Sequence, residues 1–160
     1  MPKRYAFTAF AIAAALLTAA IWSAPAGAQS HPMLTPADVK WGPAPPTLPP
    51  GAQAAVLDGD PSKPGLFSLR LKFPDGYTIA PHWHPTDENV VVMQGTLGLG
   101  MGNSLDPNTA KFLPAGSFTR LPSEMRHYAI AKGETILQIY GQGPFVVNYV
   151  NPKDDPSKKQ

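Results

Sequence analysis

The chain has 160 residues, with 13 Lys or Arg, 11 Asp or Glu, four His and no Cys. This length is typical of one domain, and the lack of cysteine excludes disulfide bonds, thiolate metal ligands and cysteine nucleophiles. The formal net charge is only +2, and no cluster of basic residues interleaved with aromatic residues indicates nucleic-acid binding.

Residues 1–28 have the three parts of a secretory signal peptide. Lys3 and Arg4 form a basic start, residues 6–22 form an apolar run, and residues 26–28 are Ala-Gly-Ala, a small-residue cleavage site. The apolar run approaches the length of a membrane span, so an uncleaved anchor helix is the alternative. The small residues directly after the run favour cleavage after Ala28, and the sequence predicts an exported protein, periplasmic in a Gram-negative organism.

Cleavage after Ala28 would change the charge balance of the chain. Residues 1–28 contain two of the thirteen basic residues and none of the eleven acidic ones, so the remaining chain has eleven of each and a formal net charge of zero. Residues 151–160 are interpreted as a solvated C-terminal tail. After cleavage we expect no stable membrane association and a function carried inside the fold rather than on a charged surface.

Residues 29–54 are rich in proline and have little periodicity. They are interpreted as an N-terminal arm that lies extended over the surface or is mobile, and Trp41 and Leu48 are the side chains that could attach it to an apolar surface. After cleavage His31 would stand third from the new terminus, where a histidine can bind Cu(II) or Ni(II). Terminal Gln29 readily cyclises and blocks the amine, so a plain terminal histidine is expected instead.

Between residues 55 and 150, short apolar or alternating runs are separated by turn residues. Residues 66–73 are the clearest case, because Phe67, Leu69 and Leu71 alternate with polar residues as in a half-buried strand. Many short strands without a long helix predict an all-β fold, a closed sandwich or barrel. The predicted strands are 54–57, 66–73, 77–84, 89–94, 96–101, 116–121, 127–131, 135–141 and 145–150.

Two histidines in one predicted strand mark the candidate functional site. His82 and His84 lie two residues apart, so their side chains share one face of the strand, with α-carbons roughly 6.6 Å apart. Two imidazoles at this spacing can bind one ion, and Pro81 and Pro85 on either side restrict the backbone to extended conformations. Trp83 would face away from the ion, toward the core or an interface.

Two further donors complete a candidate metal site. Glu88 follows His84 by four residues, and its carboxylate is expected to return toward the imidazoles. His127, the one histidine left in the folded region, starts another predicted strand. Three histidines and one carboxylate suit a divalent Mn, Fe, Co, Ni, Cu or Zn ion, with two positions open if the ion is six-coordinate. Glu88 could instead orient an imidazole without binding the ion, and both roles remain open.

Gly76, His82, His84, Glu88 and Gly95 match every fixed position of the pattern G(X)5HXH(X)3-4E(X)6G. This is the first motif of the cupin superfamily, and the chain resembles a single-domain, type 2-like, exported cupin over about residues 55–150. The resemblance implies a double-stranded β-helix, or jelly-roll barrel, with one divalent transition metal ion at its centre and a homodimeric assembly.

The second cupin motif, G(X)5PXG(X)2H(X)3N, is matched only in part. Gly116, Pro122 and His127 stand at their positions, but Glu124 replaces the internal glycine and Ala131 replaces the terminal asparagine. Both departures lie beside the ligand, in the turn and after His127. They therefore put the local loop shape in doubt more than the metal site.

Other residues near the motifs receive simpler interpretations. Asp87 is expected at the surface or as a loop cap. Glu124 and Arg126 are interpreted as solvated turn residues, with a pair near the mouth of the site as the alternative. The candidates to line the cavity are Tyr77, Met93, Met101, Phe118 and Tyr140, although any barrel interior needs residues of this kind.

The leading functional hypothesis is a metal-dependent cupin enzyme, an oxidoreductase of dioxygenase type that acts on a small oxygenated compound. One alternative is a noncatalytic exported protein that binds a small ligand such as a sugar or an aromatic acid. The other is a structural role in which the arm and a barrel face join subunits. Retention of all four donors favours the enzyme, although cupins with this ligand set catalyse several reactions.

Overall fold

The computed structural model describes residues 31–159, so the predicted signal peptide at residues 1–28 lies outside the described residues. No helix in the described range is both long and apolar enough to cross a membrane. The strands are β1 Gly42–Pro43, β2 Gln53–Asp58, β3 Gly65–Phe73, β4 Thr78–Trp83, β5 Glu88–Met101, β6 Lys111–Pro114, β7 Phe118–Leu121, β8 His127–Gly143 and β9 Asn148–Tyr149. Single turns of 3-10 helix span Pro36–Asp38, Pro152–Asp154 and Pro156–Lys158.

Strands β5 and β8 are longer than predicted, because each joins two of the predicted strands. Gly95 and Gly133 have positive φ of 72° and bend these strands without ending them, and the register of β5 with β8 shifts on either side of Gln94. A β-carbon at Gly95 would come within 2.4 Å of the Glu134 carbonyl oxygen. Only glycine combines this backbone conformation with so close a contact.

The nine strands form one sheet around the central strand β8. The first half of β8 pairs with β4 and its second half with β3, while both halves pair with β5. Strands β1 and β2 extend the sheet beyond β3, and β6 and β7 add to β5. The long strands β5 and β8 bend at Gly95 and Gly133, so the sheet curls into a barrel, which confirms the predicted all-β barrel.

The core lies inside the barrel and follows strand alternation. On β3, Phe67, Leu69, Leu71 and Phe73 are buried, while the residues between them are less buried. Each such side chain contributes roughly 1.5–3 kcal/mol by leaving water. Strands β4, β5 and β8 supply further core residues, among them Ile79, Val90, Val92, Leu97, Leu99, Leu137 and Ile139.

The Pro-rich segment before β2 contacts the barrel. Leu48 is buried in the core cluster, and the Lys72 ammonium lies 4.3 Å from the centroid of the Trp41 ring. Strand β1 pairs with β2. The two side chains expected to attach the arm, Trp41 and Leu48, therefore do contact the folded domain.

Tyr77, which is buried, and Tyr149, which is half-buried, both bind the backbone of this segment. The Tyr149 hydroxyl donates to the Thr47 carbonyl at 2.7 Å, and the Tyr77 hydroxyl donates to the Pro49 carbonyl at 2.5 Å. Burial raises the pKa of Tyr149 to about 12 and also raises the pKa of Tyr77. Both hydroxyls consequently stay protonated and keep donating at any physiological pH.

Candidate metal centre

His82 and His84 both point into the barrel. His82 lies in β4 and His84 directly follows that strand, each with 4% of its surface exposed. The pairing of β4 with β8 shifts register between Ile79 and His82. This irregularity lets the inward side chains change from odd to even positions, so Ile79, His82 and His84 all line the same cavity.

His127 joins the pair through the sheet. It is the first residue of β8 and the register partner of His82 on β4, and the centroids of these two rings lie 4.2 Å apart. One ring nitrogen from each of His82, His84 and His127 lies within 4.8 Å of the other two. Antiparallel pairing thus brings together residues that are far apart along the chain.

The outer nitrogen of each imidazole contacts a backbone carbonyl oxygen. The Nδ1 contacts are His82 with Ala80 at 2.8 Å, His84 with Val146 at 2.8 Å and His127 with Met125 at 2.9 Å. A carbonyl oxygen can only accept, so each Nδ1 carries the proton and donates it. In the neutral imidazole each Nε2 then presents an unshared electron pair, the form in which histidine binds metals.

Glu88 places a carboxylate against the same nitrogens. It is the first residue of β5 and is buried, with 6% exposed. Its Oε2 lies 3.4 Å from His84 Nε2 and 3.5 Å from His127 Nε2. The Nε2 of His84 is buried without a hydrogen-bond partner. Electron-pair donors therefore face one another across a buried space, an arrangement that only a cation or additional protons can stabilise.

Burial and neighbouring groups shift two pKa values in this cluster. Burial lowers the pKa of His82 to about 3, and charge repulsion from His127 and His84 acts in the same direction. For Glu88, burial by itself raises the pKa, but hydrogen bonds that His127 and His84 donate when their Nε2 is protonated outweigh burial and lower it. At neutral pH the cluster therefore offers a neutral His82 imidazole and an anionic carboxylate.

Asp87 points away from Glu88 and holds the loop between β4 and β5. It accepts from Arg120 Nε at 3.0 Å and Nη2 at 2.6 Å, and from the Ser123 backbone N–H at 2.8 Å. The hydrogen bond from Arg120, followed by that from Ser123, lowers the pKa of Asp87. Asp87 is thus a loop-capping residue that fixes the backbone from which Glu88 projects.

Glu124 occupies the place of the glycine that the second motif expects. Its φ is +64°, in the left-handed region that glycine adopts readily, and its N–H donates to the His84 carbonyl at 2.8 Å. The turn therefore keeps a glycine-like conformation with a larger residue. Glu124 and Arg126 do not pair with each other, since the ion pairs of the described chain include neither; Arg126 donates to Asn103 at 3.0 Å.

Phe145 is a site residue that the sequence pattern does not reveal. Its ring stacks on the His84 imidazole with centroids 4.2 Å apart and planes 16° apart, and it also contacts the Phe67 ring at 5.2 Å. The next residue, Val146, supplies the carbonyl that binds His84. The segment between β8 and β9 therefore orients His84, and only a long-range contact could have shown this.

The donor cluster, defined as His82, His84, Glu88 and His127, opens onto a cavity of about 290 Å³. None of the five residues predicted to line it does so: Tyr77, Met93, Met101, Phe118 and Tyr140. Phe118 and Tyr140 lie opposite Val91 and Asn89 in the ladders of β5, and paired residues share one face. Because Glu88 points inward, its neighbour Asn89 and every second residue up to the bulge point outward. The prediction that these five residues line the cavity is wrong.

Comparison with known proteins places this geometry in context. No curated protein matched the sequence. Residues 24–152 match the model of the family described as "Domain of unknown function (DUF4437)". The match covers most of the chain.

Several solved structures have a similar fold. The polyketide cyclase RemF from Streptomyces resistomycificus has a TM-score of 0.64 at 15% identity, covering 81% of this chain and 92% of that one. An acetylacetone dioxygenase from Acinetobacter johnsonii has a TM-score of 0.60 at 16% identity, and the match covers 79% of this chain and 81% of that one. An RmlC-like cupin from Shewanella frigidimarina has a TM-score of 0.55 at 17% identity, and the match covers 71% of this chain and 91% of that one. At these identities the likeness shows the fold alone, which is the cupin barrel.

Proposed function

The chain belongs to the DUF4437 family, and from that premise we propose that it is a metal-dependent oxidoreductase of dioxygenase type that acts on a small oxygenated compound. The observation that carries the proposal is the buried set of opposed electron-pair donors, in which the Nε2 of His84 has no hydrogen-bond partner. A divalent transition ion is the ligand that this set fits best.

His82, His84, His127 and Glu88 would hold this ion, which is Fe, Mn, Ni, Cu, Co or Zn. When bound, such an ion polarises substrate oxygens and, if it is redox-active, activates dioxygen. The protein's own part is orientation and exclusion of water. Backbone carbonyls hold the three imidazoles, and the apolar walls of the cavity keep the reacting groups in a medium of low dielectric constant.

The dioxygenase assignment has support from one structural neighbour and from the ligand set. The acetylacetone dioxygenase from Acinetobacter johnsonii shares the fold, but so does the polyketide cyclase RemF, and fold alone does not decide a reaction. Four retained donors around a cavity indicate chemistry rather than binding alone. A noncatalytic binding role is the second candidate, and the apolar cavity favours an aromatic acid over a sugar as its ligand.

Metal content and oxygen consumption test this proposal together. Protein expressed in its own host is purified without added metal, its ions are measured by elemental analysis, and oxygen uptake is followed with diketones, catechols and flavonols. We expect about one transition ion per chain and uptake with at least one of these compounds. Metal-replete protein that consumes no oxygen would favour the binding role, and protein without a bound ion would contradict the metal-dependent enzyme.

Export and assembly are further parts of the proposal. We propose that residues 1–28 direct export and are removed, so mass spectrometry of the protein from the periplasmic fraction is expected to show a chain that begins at Gln29 or its cyclised form. Full-length protein retained in the membrane would contradict this. We also propose a homodimer, and light scattering during size-exclusion chromatography checks the mass. A monomer would refute the dimer and the subunit-joining role.

A further inference from the structure

The walls of the cavity limit which substrates the site can accept. We infer that the substrate carries a chelating pair of oxygens with a total charge of zero or −1 on a single apolar body, and that sugars, phosphate esters and dicarboxylic acids are excluded. This inference rests on the proposed function, because it assumes an ion at the donor cluster. The residues that carry it are the chain's own wall residues.

Apolar side chains adjoin the donor cluster on β4, β5 and β8. His127 is paired with His82, and two residues further along β8, Ala129 is paired with Ile79 on β4 and with Leu99 on β5. A step of two residues keeps the same face and advances by roughly 6.8 Å. The layer next to the imidazoles is therefore built from hydrocarbon side chains.

The lining also changes from a polar donor to hydrocarbon side chains beside the Glu88 carboxylate. Two residues beyond Glu88 on β5, Val90 is paired with Ile139 on β8, and both line the cavity. Phe145 and Val147 contribute further apolar surface from the segment between β8 and β9. A substrate that chelates an ion at the donor cluster must place the rest of its structure against these walls.

The charge of the cavity lining is set by Glu88 alone. Within residues 31–159 no Lys or Arg lines the cavity, and the polar side chains outside the donor cluster are those of Thr47 and Ser62. One divalent ion with one carboxylate and three neutral imidazoles carries a net charge of +1. A singly negative head group neutralises this charge, whereas a second negative charge held against the hydrocarbon walls would have no partner.

The volume and the scarcity of hydrogen-bonding groups define the substrate body. A cavity of about 290 Å³ holds roughly a dozen non-hydrogen atoms at the packing density of protein interiors. Thr47 and Ser62 cannot provide partners for the several hydroxyls of a sugar. A sugar would leave hydroxyls buried without hydrogen bonds, which lowers affinity. An aromatic ring or a short branched hydrocarbon has no such groups.

A series of hydroxamic acids tests this, because all share one two-oxygen chelating head. Isothermal titration calorimetry on the Zn(II)-loaded protein compares acetohydroxamic, benzohydroxamic, 4-carboxybenzohydroxamic and gluconohydroxamic acids. We expect the benzo compound to bind about tenfold or more tightly than the aceto compound, because its ring leaves water. The carboxylated compound is expected to bind at least about tenfold more weakly than its parent, and the gluco compound no more tightly than the aceto compound.

A variant of the cavity wall shows whether the aromatic ring of benzohydroxamic acid lies against the hydrocarbon layer next to the donor cluster. Ala129→Leu places extra bulk next to the donor cluster, and we expect it to weaken benzohydroxamic acid about tenfold while leaving acetohydroxamic acid almost unchanged. Ile130→Phe adds bulk on the opposite face of the same strand and is the matched control. Circular dichroism and bound zinc verify that each variant is folded and loaded.

The outcomes separate this inference from the proposed function. Equal affinities across the four acids, or tightest binding of the gluco or carboxylated compound, would overturn the substrate class and leave the metal site intact. Loaded protein that binds none of the acids would also overturn it. Protein that holds no zinc would remove both proposals. The four acids could bind in the expected order of affinity while no metal-loaded form of the protein consumes oxygen. That result would support the inferred substrate class and contradict the dioxygenase assignment.

Discussion

Two adjacent carboxylates, Asp87 and Glu88, have opposite environments. Asp87 lies in an outer cluster, defined as Asp87, Arg120 and Ser123, in which hydrogen bonds from Arg120 and Ser123 reach both of its oxygens. Glu88 is buried in the donor cluster, where its close neighbours are imidazole nitrogens with unshared electron pairs. The outer cluster is complete in itself, whereas the donor cluster requires a positively charged ligand.

This difference separates structural from functional charge. Exposed ion pairs contribute little stability, typically up to about 1 kcal/mol, and the outer cluster needs no ligand. Buried donors without partners destabilise the fold, so their presence indicates a ligand that compensates for them. Depressed pKa values of both carboxylates arise from different partners, which shows that a shifted pKa alone does not identify a site.

Removal of two imidazoles from the donor cluster is expected to have the largest effect, which is a loss of bound metal. The double variant His82→Ala and His127→Ala takes away two of the proposed ligands, so bound metal is expected to fall from about one ion per chain to a trace. Arg120→Ala, which disrupts only the outer cluster, is the control and is expected to keep its metal. Elemental analysis checks both, and unchanged metal in the double variant would refute the site.

Exchange of each carboxylate for an amide sharpens the comparison. Glu88→Gln is expected to lower metal affinity by about 10-fold to 100-fold if Glu88 binds the ion or orients an imidazole that does. Asp87→Asn is expected to leave metal affinity within a factor of about two. It is expected to cost at most about 1 kcal/mol of folding stability. Competition with a chelator measures the affinities, and denaturant unfolding measures the stability.

The two results have different consequences. Equal metal affinities of the Glu88→Gln and Asp87→Asn variants would mean that Glu88 contributes nothing at the ion. A large loss of metal from Asp87→Asn would mean that the loop cap, rather than the buried carboxylate, controls the site.

Acidification is expected to destabilise the metal-free protein. Burial lowers the pKa of His82 from 6.5 to about 3 in the folded state. Below pH 6.5, His82 is therefore protonated in the unfolded chain but stays neutral in the folded chain. Folding stability therefore falls as the pH decreases from 6.5 toward 3. The lowered pKa of Glu88 acts in the same direction below its ordinary value of 4.5.

Thermal unfolding of the metal-free protein between pH 7 and pH 4 measures this dependence. His82→Gln is expected to flatten it, while the same change at exposed His31 is expected to leave it unaltered. A His82→Gln variant with the parent's full pH dependence would show that this imidazole is not buried as described.

The turn beside the outer cluster is expected to give the smallest effect. Glu124→Gly relieves a positive φ of 64° and is expected to stabilise the fold by about 0.5–1 kcal/mol. Glu134→Gly, at an exposed position within β8, is the matched control and is expected to destabilise by about 0.5–1 kcal/mol. Denaturant unfolding of both variants checks the opposite signs, and destabilisation by Glu124→Gly would contradict the strained turn.

The sequence predicted the fold class and the members of the donor cluster, and the structure brings all four side chains together. Strand alternation placed Phe67, Leu69 and Leu71 correctly, because a period of two follows from the backbone itself. Binding of a metal ion by the cluster stays a prediction. The expected lining residues were wrong: Met93, Phe118 and Tyr140 lie on the sheet face opposite Glu88, and the pairing of β5 with β7 and β8 decides this.

By itself, then, the sequence determined an all-β barrel and a set of three histidines and one glutamate, because spacing and alternation are local properties of the chain. The tertiary structure alone decided which nitrogen of His84 faces the cavity, because the carbonyl of Val146 and the ring of Phe145 reach His84 across the fold. It also decided that the walls next to the donors are hydrocarbon. Contacts between distant segments depend on sheet register, which no short stretch of sequence specifies.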